Sequence, residues 1–264
     1  METILQGCQR TCVYFDDILV TGSSNDEHLA NLDSVLCKLE GAGLRLNRAK
    51  CAFMLPSVEY LGHRIDREGL HPTEEKVIAI HNAPVPTSVT VLKSFLGLLN
   101  YYSKFLPNVS STLAPLYLLL RKKQKWVWGK EQEEAFLRAK RMLQSSALLV
   151  HYDGNKPLLL ACDASSYGVG AVLSHVMSDG SEKPIAFASR SMTAAEKGYS
   201  QLDKEALAII FRVTKFHQYV YGRIFTIVSD HKPLIYILGE KNAIPPMASA
   251  RVQRWALTLS GYQY

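Results

Sequence analysis

No apolar run in the sequence approaches the roughly 18 residues a membrane span needs; Ala147–Val150 and Leu158–Cys162 are strand-sized. The first residues, METILQGCQRTC, lack the apolar block of a secretory signal. Cysteine is sparse: Cys8, Cys12, Cys37, Cys51 and Cys162 make five in 264 residues. An odd, scattered set argues against a disulfide framework and for a reducing compartment. No Cys/His pair at ligand spacing follows Cys8 and Cys12, so a zinc site is not expected. There is no internal repeat, no low-complexity tract and no Gly-x-Ser-x-Gly elbow, which leaves an α/β-hydrolase reading without support. Secreted, membrane-spanning and disulfide-stapled classes are set aside.

What the chain does have is 47% hydrophobic and 20% charged residues, enough apolar material for a substantial core. Its net charge of +6 mildly favours a polyanionic partner. That excess is spread evenly, about +3 on each side of residue 150. The one basic run, Arg121-Lys122-Lys123-Gln124-Lys125, reads equally well as a solvated linker or as a phosphate contact.

Along the chain, a short opening helix runs into Thr11–Thr21, whose apolar arms flank Asp16-Asp17 as a hairpin. Helical spacing predicts a helix over Asn25–Ala42, then short strands around Leu44–Leu46, Ala52–Leu55 and Glu59–Ile65. A short helix follows Thr73. An amphipathic helix over residues 88–106 ends before Pro107, and another spans about Lys130–Leu143. Lys156–Cys162, Gly168–Val176 and Pro184–Ser189 read as consecutive strands. One long helix is expected from Thr193 to Tyr219, opened by a Thr193/Glu196 capping box. Arg223–Ser229 is a strand, and Pro233–Leu238 and Arg251–Leu259 are helices. The order implies a mixed sheet with one parallel crossover.

Three groups of residues can carry chemistry. Asp16 and Asp17 are adjacent acids held between apolar arms, a costly arrangement that a hard divalent cation relieves. Lys93, Gly97 and Tyr101 recur every fourth residue on one helix face. A cation, a bare backbone and an aromatic in a row suit a duplex minor groove, although Tyr101 is equally compatible with a core position.

The third group is Asp163, Glu205 and Asp230. Two aspartates end strands expected to be parallel neighbours, and ligands bind at that edge of α/β sheets. Glu205 falls on the apolar stripe with Ala206, Ile209, Val213 and Phe216, where a carboxylate is rare unless paired or metal-bound. Such a cluster suits two-metal hydrolysis. The cluster resembles that of ribonuclease H, which implies that Gly168 and Gly170, alternating on the next strand, approach a hybrid closely and read the RNA 2′-hydroxyl. Arg190 fits a phosphate contact or an ordinary polar turn. His231, beside Asp230, is read as structural.

The segment YFDDILV, Tyr14 to Val20, resembles the Tyr-x-Asp-Asp hairpin of reverse transcriptases. HLANLDSVLCKLEGAGLRLNRAKCAFMLPSVEYLGHRIDREGL, SFLGLLNYYSKFLP, WVWGKEQEEAF, ACDASSYGVGAVL, SQLDKEALAI and SDHKPL continue the match, in order, to gypsy-type long-terminal-repeat retrotransposon Pol polyproteins. The resemblance implies an α/β and α+β chain: a partial palm (1–75), a thumb (76–120), a connection (121–150) and an RNase H-like domain with a mixed five-stranded sheet (151–264). It implies that Asp16 and Asp17 are polymerase carboxylates, with Tyr14 and Phe15 beside the nucleic acid. It also implies that Tyr60-Leu61-Gly62-His63 positions the primer end. Asp163, Glu205 and Asp230 become RNase H ligands for Mg²⁺ or Mn²⁺. The implied partners are an RNA/DNA hybrid, a primer-template duplex and the rest of a Pol polyprotein, with no membrane.

The family's third polymerase Asp precedes Tyr14, and its fourth nuclease Asp would follow Tyr264. The resemblance therefore leads one to expect no polymerase activity from this chain alone, impaired nuclease activity, and Met1 as an internal methionine. A catalytically dead binding remnant is the alternative.

Overall fold

A computed structural model describes residues 1–122, 124–145, 148–164, 168–229, 232–239 and 249–264. It divides into two units, Met1–Leu61 and Gly62–Tyr264.

In the first unit, β1 (Thr11–Tyr14) and β2 (Asp17–Val20) pair antiparallel, with Tyr14 opposite Asp17. Phe15 and Asp16 are thus the two-residue turn, and Phe15 takes the left-handed backbone (φ +51) that such turns need. The Ser24 hydroxyl caps α1 (Asn25–Gly41) by accepting from the Glu27 N–H. Leu5, Val35 and Leu39 form a small core against Val13, Ile18 and Val20. The opening segment forms turns instead of the expected helix. Strands expected near Leu44 and Phe53 do not form either, and that stretch is loop with a 3-10 turn at Arg48–Lys50. Leu44, Leu46, Phe53, Met54 and Leu55 are all exposed, so they gain no burial from pleating. β3 (Ser57–Tyr60) closes the unit.

The second unit opens with the antiparallel pair β4 (His63–Asp66) and β5 (Leu70–Pro72). The helices α2 (Glu74–His81), α3 (Val89–Tyr101), α4 (Val109–Thr112), α5 (Ala114–Leu118) and α6 (Lys130–Gln144) follow. Ile80, Leu92, Phe95, Leu96, Leu99, Phe136 and Leu143 are among the residues of their shared core. The predicted 88–106 helix stops at Tyr101, six residues ahead of Pro107, and tightens into a 3-10 turn at Ser103–Phe105.

Beyond it, β6 (Leu158–Ala164), β7 (Gly168–Val176), β8 (Glu182–Ser191) and β9 (Phe225–Val228) form one sheet in the order β8-β7-β6-β9. Only β6 and β9 run parallel, as the predicted crossover requires. Four strands pair among the described residues; the expected fifth is represented by a single parallel bridge, Ile224 with Gln263. The long helix is three: α7 (Ala194–Lys197), α8 (Gln201–Lys215) and α9 (His217–Val220). Gly198 ends the first, and the Ser200 side chain caps the second by accepting from the Asp203 N–H. α8 packs on β6 and β7, while α10 (Lys232–Leu238) and α11 (Ala250–Leu259) pack on α8.

The helical part and the sheet are joined in detail. α4 lies on β7 and β8, where the Ser110 N–H donates to Ser189 Oγ at 3.0 Å. Leu149 exchanges backbone hydrogen bonds with Leu70 of β5, and the next residue, Val150, donates to the Pro184 carbonyl of β8.

Candidate functional site

Asp163 is the penultimate residue of β6, paired across the ladder with Gly170 of β7, which in turn pairs with Ser189 of β8. The parallel register sets Ala161 beside Val228, and Asp163 and Asp230 each come two residues further along the sequence. Asp230 and His231 lie outside the described residues. Glu205 sits in the second turn of α8 and is buried, with 8% of its surface exposed. Gln201, one turn earlier, donates Nε2–H to Glu205 Oε1 at 2.7 Å. A buried carboxylate facing a sheet is expensive unless such donors or a cation hold it.

Two residues that sequence reasoning passed over tie α8 to its neighbours. Arg212 is fully buried, two turns after Glu205, and its Nη1 donates to the carbonyls of both Leu160 (3.1 Å) and Val228 (2.8 Å). Its spacing of seven from Glu205 was the available signal, since both fall on one helix face. Arg251 of α11 donates to Asp203 Oδ2 at 3.0 Å and lies 3.7 Å over the Tyr199 ring.

Gly168 is required by the chain's own packing. A Cβ there would sit 2.8 Å from the Arg190 carbonyl and 3.1 Å from Ser110 Oγ, so its near neighbours are intramolecular. The Arg190 guanidinium forks onto Glu196, Nη1 to Oε2 at 2.7 Å and Nη2 to Oε1 at 2.8 Å. Neither arrangement was anticipated from the sequence.

On α3, Lys93, Gly97 and Tyr101 form one exposed row, while Leu92, Phe95, Leu96 and Leu99 are buried beside them. A Cβ on Gly97 would meet nothing within 4 Å, so internal packing does not demand glycine there. His63 is buried among the rings of Tyr101, Tyr102 and Phe105, at centroid distances of 5.3 to 5.7 Å. Tyr102, also buried, donates its hydroxyl to the Gly62 carbonyl at 2.7 Å. Burial raises that phenol above its ordinary range.

On the hairpin, Tyr14 is half-exposed, Phe15 is 77% exposed, and Asp16 and Asp17 are open to solvent. The Phe15 ring meets Tyr14 edge-on at 4.7 Å. Behind them, burial and the neighbouring Cys12 push the Tyr60 phenol up to about 12. Among the described residues, no three His, Cys, Asp or Glu side chains converge as a metal cage, and no helix is long and apolar enough to cross a membrane.

Residues 1–65 match the reverse transcriptase (RNA-dependent DNA polymerase) family, and residues 153–262 match the RNase H-like domain found in reverse transcriptase. The chain has the reverse transcriptase and RNase H makeup of a retrotransposon Pol polyprotein. It is 37% identical over 96% of its length to the retrovirus-related Pol polyprotein from transposon 297 of Drosophila melanogaster, covering 23% of that protein. It is 36% identical over its whole length to the transposon Tf2-3 polyprotein of Schizosaccharomyces pombe, covering 20%. The chain therefore spans about a fifth of these Pol relatives.

Among solved structures, the foamy viral protease-reverse transcriptase dRH in complex with double-stranded DNA superimposes with a TM-score of 0.80. Its identity is 27%, over 98% of this chain and 45% of that one. The foamy viral protease-reverse transcriptase in complex with an RNA/DNA hybrid gives 0.77 at 27% identity, over 98% of this chain and 35% of that one. The mixed α/β architecture of this Pol segment is that of a reverse transcriptase with an RNase H-like domain.

Proposed function

We propose that this Pol segment hydrolyses the RNA strand of an RNA/DNA hybrid at the C-terminal edge of its four-stranded sheet. The observation that carries the reading is Glu205, a carboxylate buried on the sheet side of α8 beside the strand whose penultimate residue is Asp163. Hard oxygen donors in that position fit Mg²⁺ or Mn²⁺, and Asp163, Glu205 and Asp230 are the residues assigned to hold them. When bound, such ions supply a water nucleophile at neutral pH and stabilise the leaving 3′-oxygen. Gln201 orients the Glu205 carboxylate by its hydrogen bond, and α8 keeps bulk water from that side chain.

In the same reading, Lys93, Gly97 and Tyr101 of a thumb (76–120) receive the duplex. Their exposure and the open space over Gly97 support this. A palm segment (1–75) presents Asp16 and Asp17, with Tyr14 and Phe15, toward a primer-template. A connection (121–150) leads to the RNase H-like domain (151–264). Gly170 faces the hybrid from beside Asp163, and Gly168 and Arg190 support that edge from within the fold.

The test is cleavage of a labelled RNA strand in a hybrid with Mg²⁺ or Mn²⁺, using Asp163→Asn and Glu205→Gln as controls. Metal-dependent cutting by the wild type, lost in both variants, is the expected result. Absence of cutting by the folded wild-type chain, or cutting that survives both substitutions, overturns the proposal.

A further inference from the structure

An arginine with no exposed surface, inside a sheet-and-helix core, calls for a reason. Arg212 projects from the buried face of α8, on the stripe that carries Ala208, Ile209 and Val213. Burying a guanidinium is costly, and a helix that only needed to pack on a sheet has cheaper side chains for the position. Its hydrogen bonds say what it does. One nitrogen, Nη1, takes the Leu160 carbonyl from β6 and the Val228 carbonyl from β9.

Among the described residues these two strands pair through a short parallel ladder, four residues from Leu158/Phe225 to Ala161/Val228. Val228 is the last residue of β9, so its carbonyl stands where the ladder gives out. β6 itself continues through Cys162 and Asp163 to Ala164. Arg212 therefore ties the two strands together, from Leu160 within the ladder to Val228 in its last described pair. It does so from the helix that carries Glu205, which is seven residues away and on the same face.

We infer that Arg212 is a positioning residue: it fixes the spacing between β6 at Leu160 and the end of β9 at Val228, and of both to Glu205, so that the carboxylate near the end of β6 and the one after β9 meet a metal ion at a set separation. The inference rests on the nuclease reading above and deepens it. A single side chain links all three elements of the proposed site, so a change at position 212 alters their relative placement without removing a donor oxygen. Supporting groups of this kind typically govern metal affinity as strongly as some direct ligands do.

The experiment is a metal titration of the full chain followed by thermal unfolding, which needs no catalysis. Wild type, Arg212→Met, Arg212→Lys and Glu205→Gln are titrated with Mn²⁺ and the half-maximal concentration for stabilisation is read. The wild type is expected to be stabilised and Glu205→Gln not. Arg212→Met is expected to need about tenfold more metal or more. Arg212→Lys keeps a cation on a shorter, non-forked head and is expected to fall between. A purely structural role would lower the metal-free unfolding temperature and leave the half-maximal concentration unchanged; that result overturns the inference. If Arg212→Met does not fold, Arg212→Lys decides: a raised midpoint supports the inference and an unchanged one overturns it. A wild-type chain with no metal response overturns the underlying metal-site reading, and is distinct from a normal wild-type response with unshifted Arg212 variants.

Discussion

Arg190 and Glu196 are joined by two parallel hydrogen bonds of 2.7 and 2.8 Å, and the same carboxylate accepts from the Thr193 N–H at 2.8 Å. The Arg190 guanidinium is therefore already matched to a planar anion, the geometry it would offer a phosphate. Its hydrogen bonds bring the Glu196 carboxyl down to about 2. A carboxyl lowered in the folded state contributes stability that is complete above its unfolded value near 4.5 and lost as pH falls toward about 2. Glu196→Gln is expected to cost about 1–2 kcal/mol at neutral pH, given that Arg190 is partly exposed. Urea unfolding at pH 7 and pH 3 checks this: the gap between variant and wild type should narrow at the lower pH.

Gly168→Ala should destabilise the chain by about 1–3 kcal/mol, because the new methyl meets the Arg190 backbone carbonyl at 2.8 Å. Gly97→Ala, made in open space within a helix, should leave stability unchanged or slightly raised. Parallel denaturation curves separate the two. If Gly97 faces a duplex, the same Gly97→Ala protein should bind hybrid more weakly.

Lys93→Ala should weaken hybrid binding without altering thermal stability. It should also reduce the steepness of the salt dependence by about one counterion. Binding measured across a salt series reads both, and an unchanged slope would remove Lys93 from the interface.

Gln201→Ala should reduce hybrid cleavage by roughly tenfold, because Glu205 loses the donor that orients it. Circular dichroism should show an intact α8. Loss of helix instead of activity would make Gln201 a stability residue.

Tyr102→Phe removes the hydroxyl that satisfies the Gly62 carbonyl beside the His63 ring cluster. The expected cost is about 1 kcal/mol, read from the urea midpoint at constant slope.

The elements legible in the sequence were those whose periodicity matched their burial. β7 begins and ends at the predicted residues, and Glu205 stood out because the stripe around it is otherwise apolar. Leu44–Leu46 and Ala52–Leu55 misled because a short apolar run says nothing about whether a partner surface exists. The break at Gly198–Ser200 was hidden by a continuous helical pattern on both sides, although Gly and Ser are the residues that stop and restart a helix. Arg212 escaped notice because a charge is assumed to face water. Its two carbonyl partners come from strands 52 residues before it and 16 after it, so composition around position 212 does not reveal them.

The successive bonds of Leu149 to Leu70 and of Val150 to Pro184 make this stretch a seam with stitches on either side. Gly69 belongs to the same seam, since a Cβ there would run into the Leu149 carbonyl oxygen. A chimera that swaps the RNase H-like half at residue 150 would therefore cut between two adjoining stitches and mismatch a backbone contact at residue 69. Exchange between relatives should instead carry residues 62–72 along with the sheet they are sewn to.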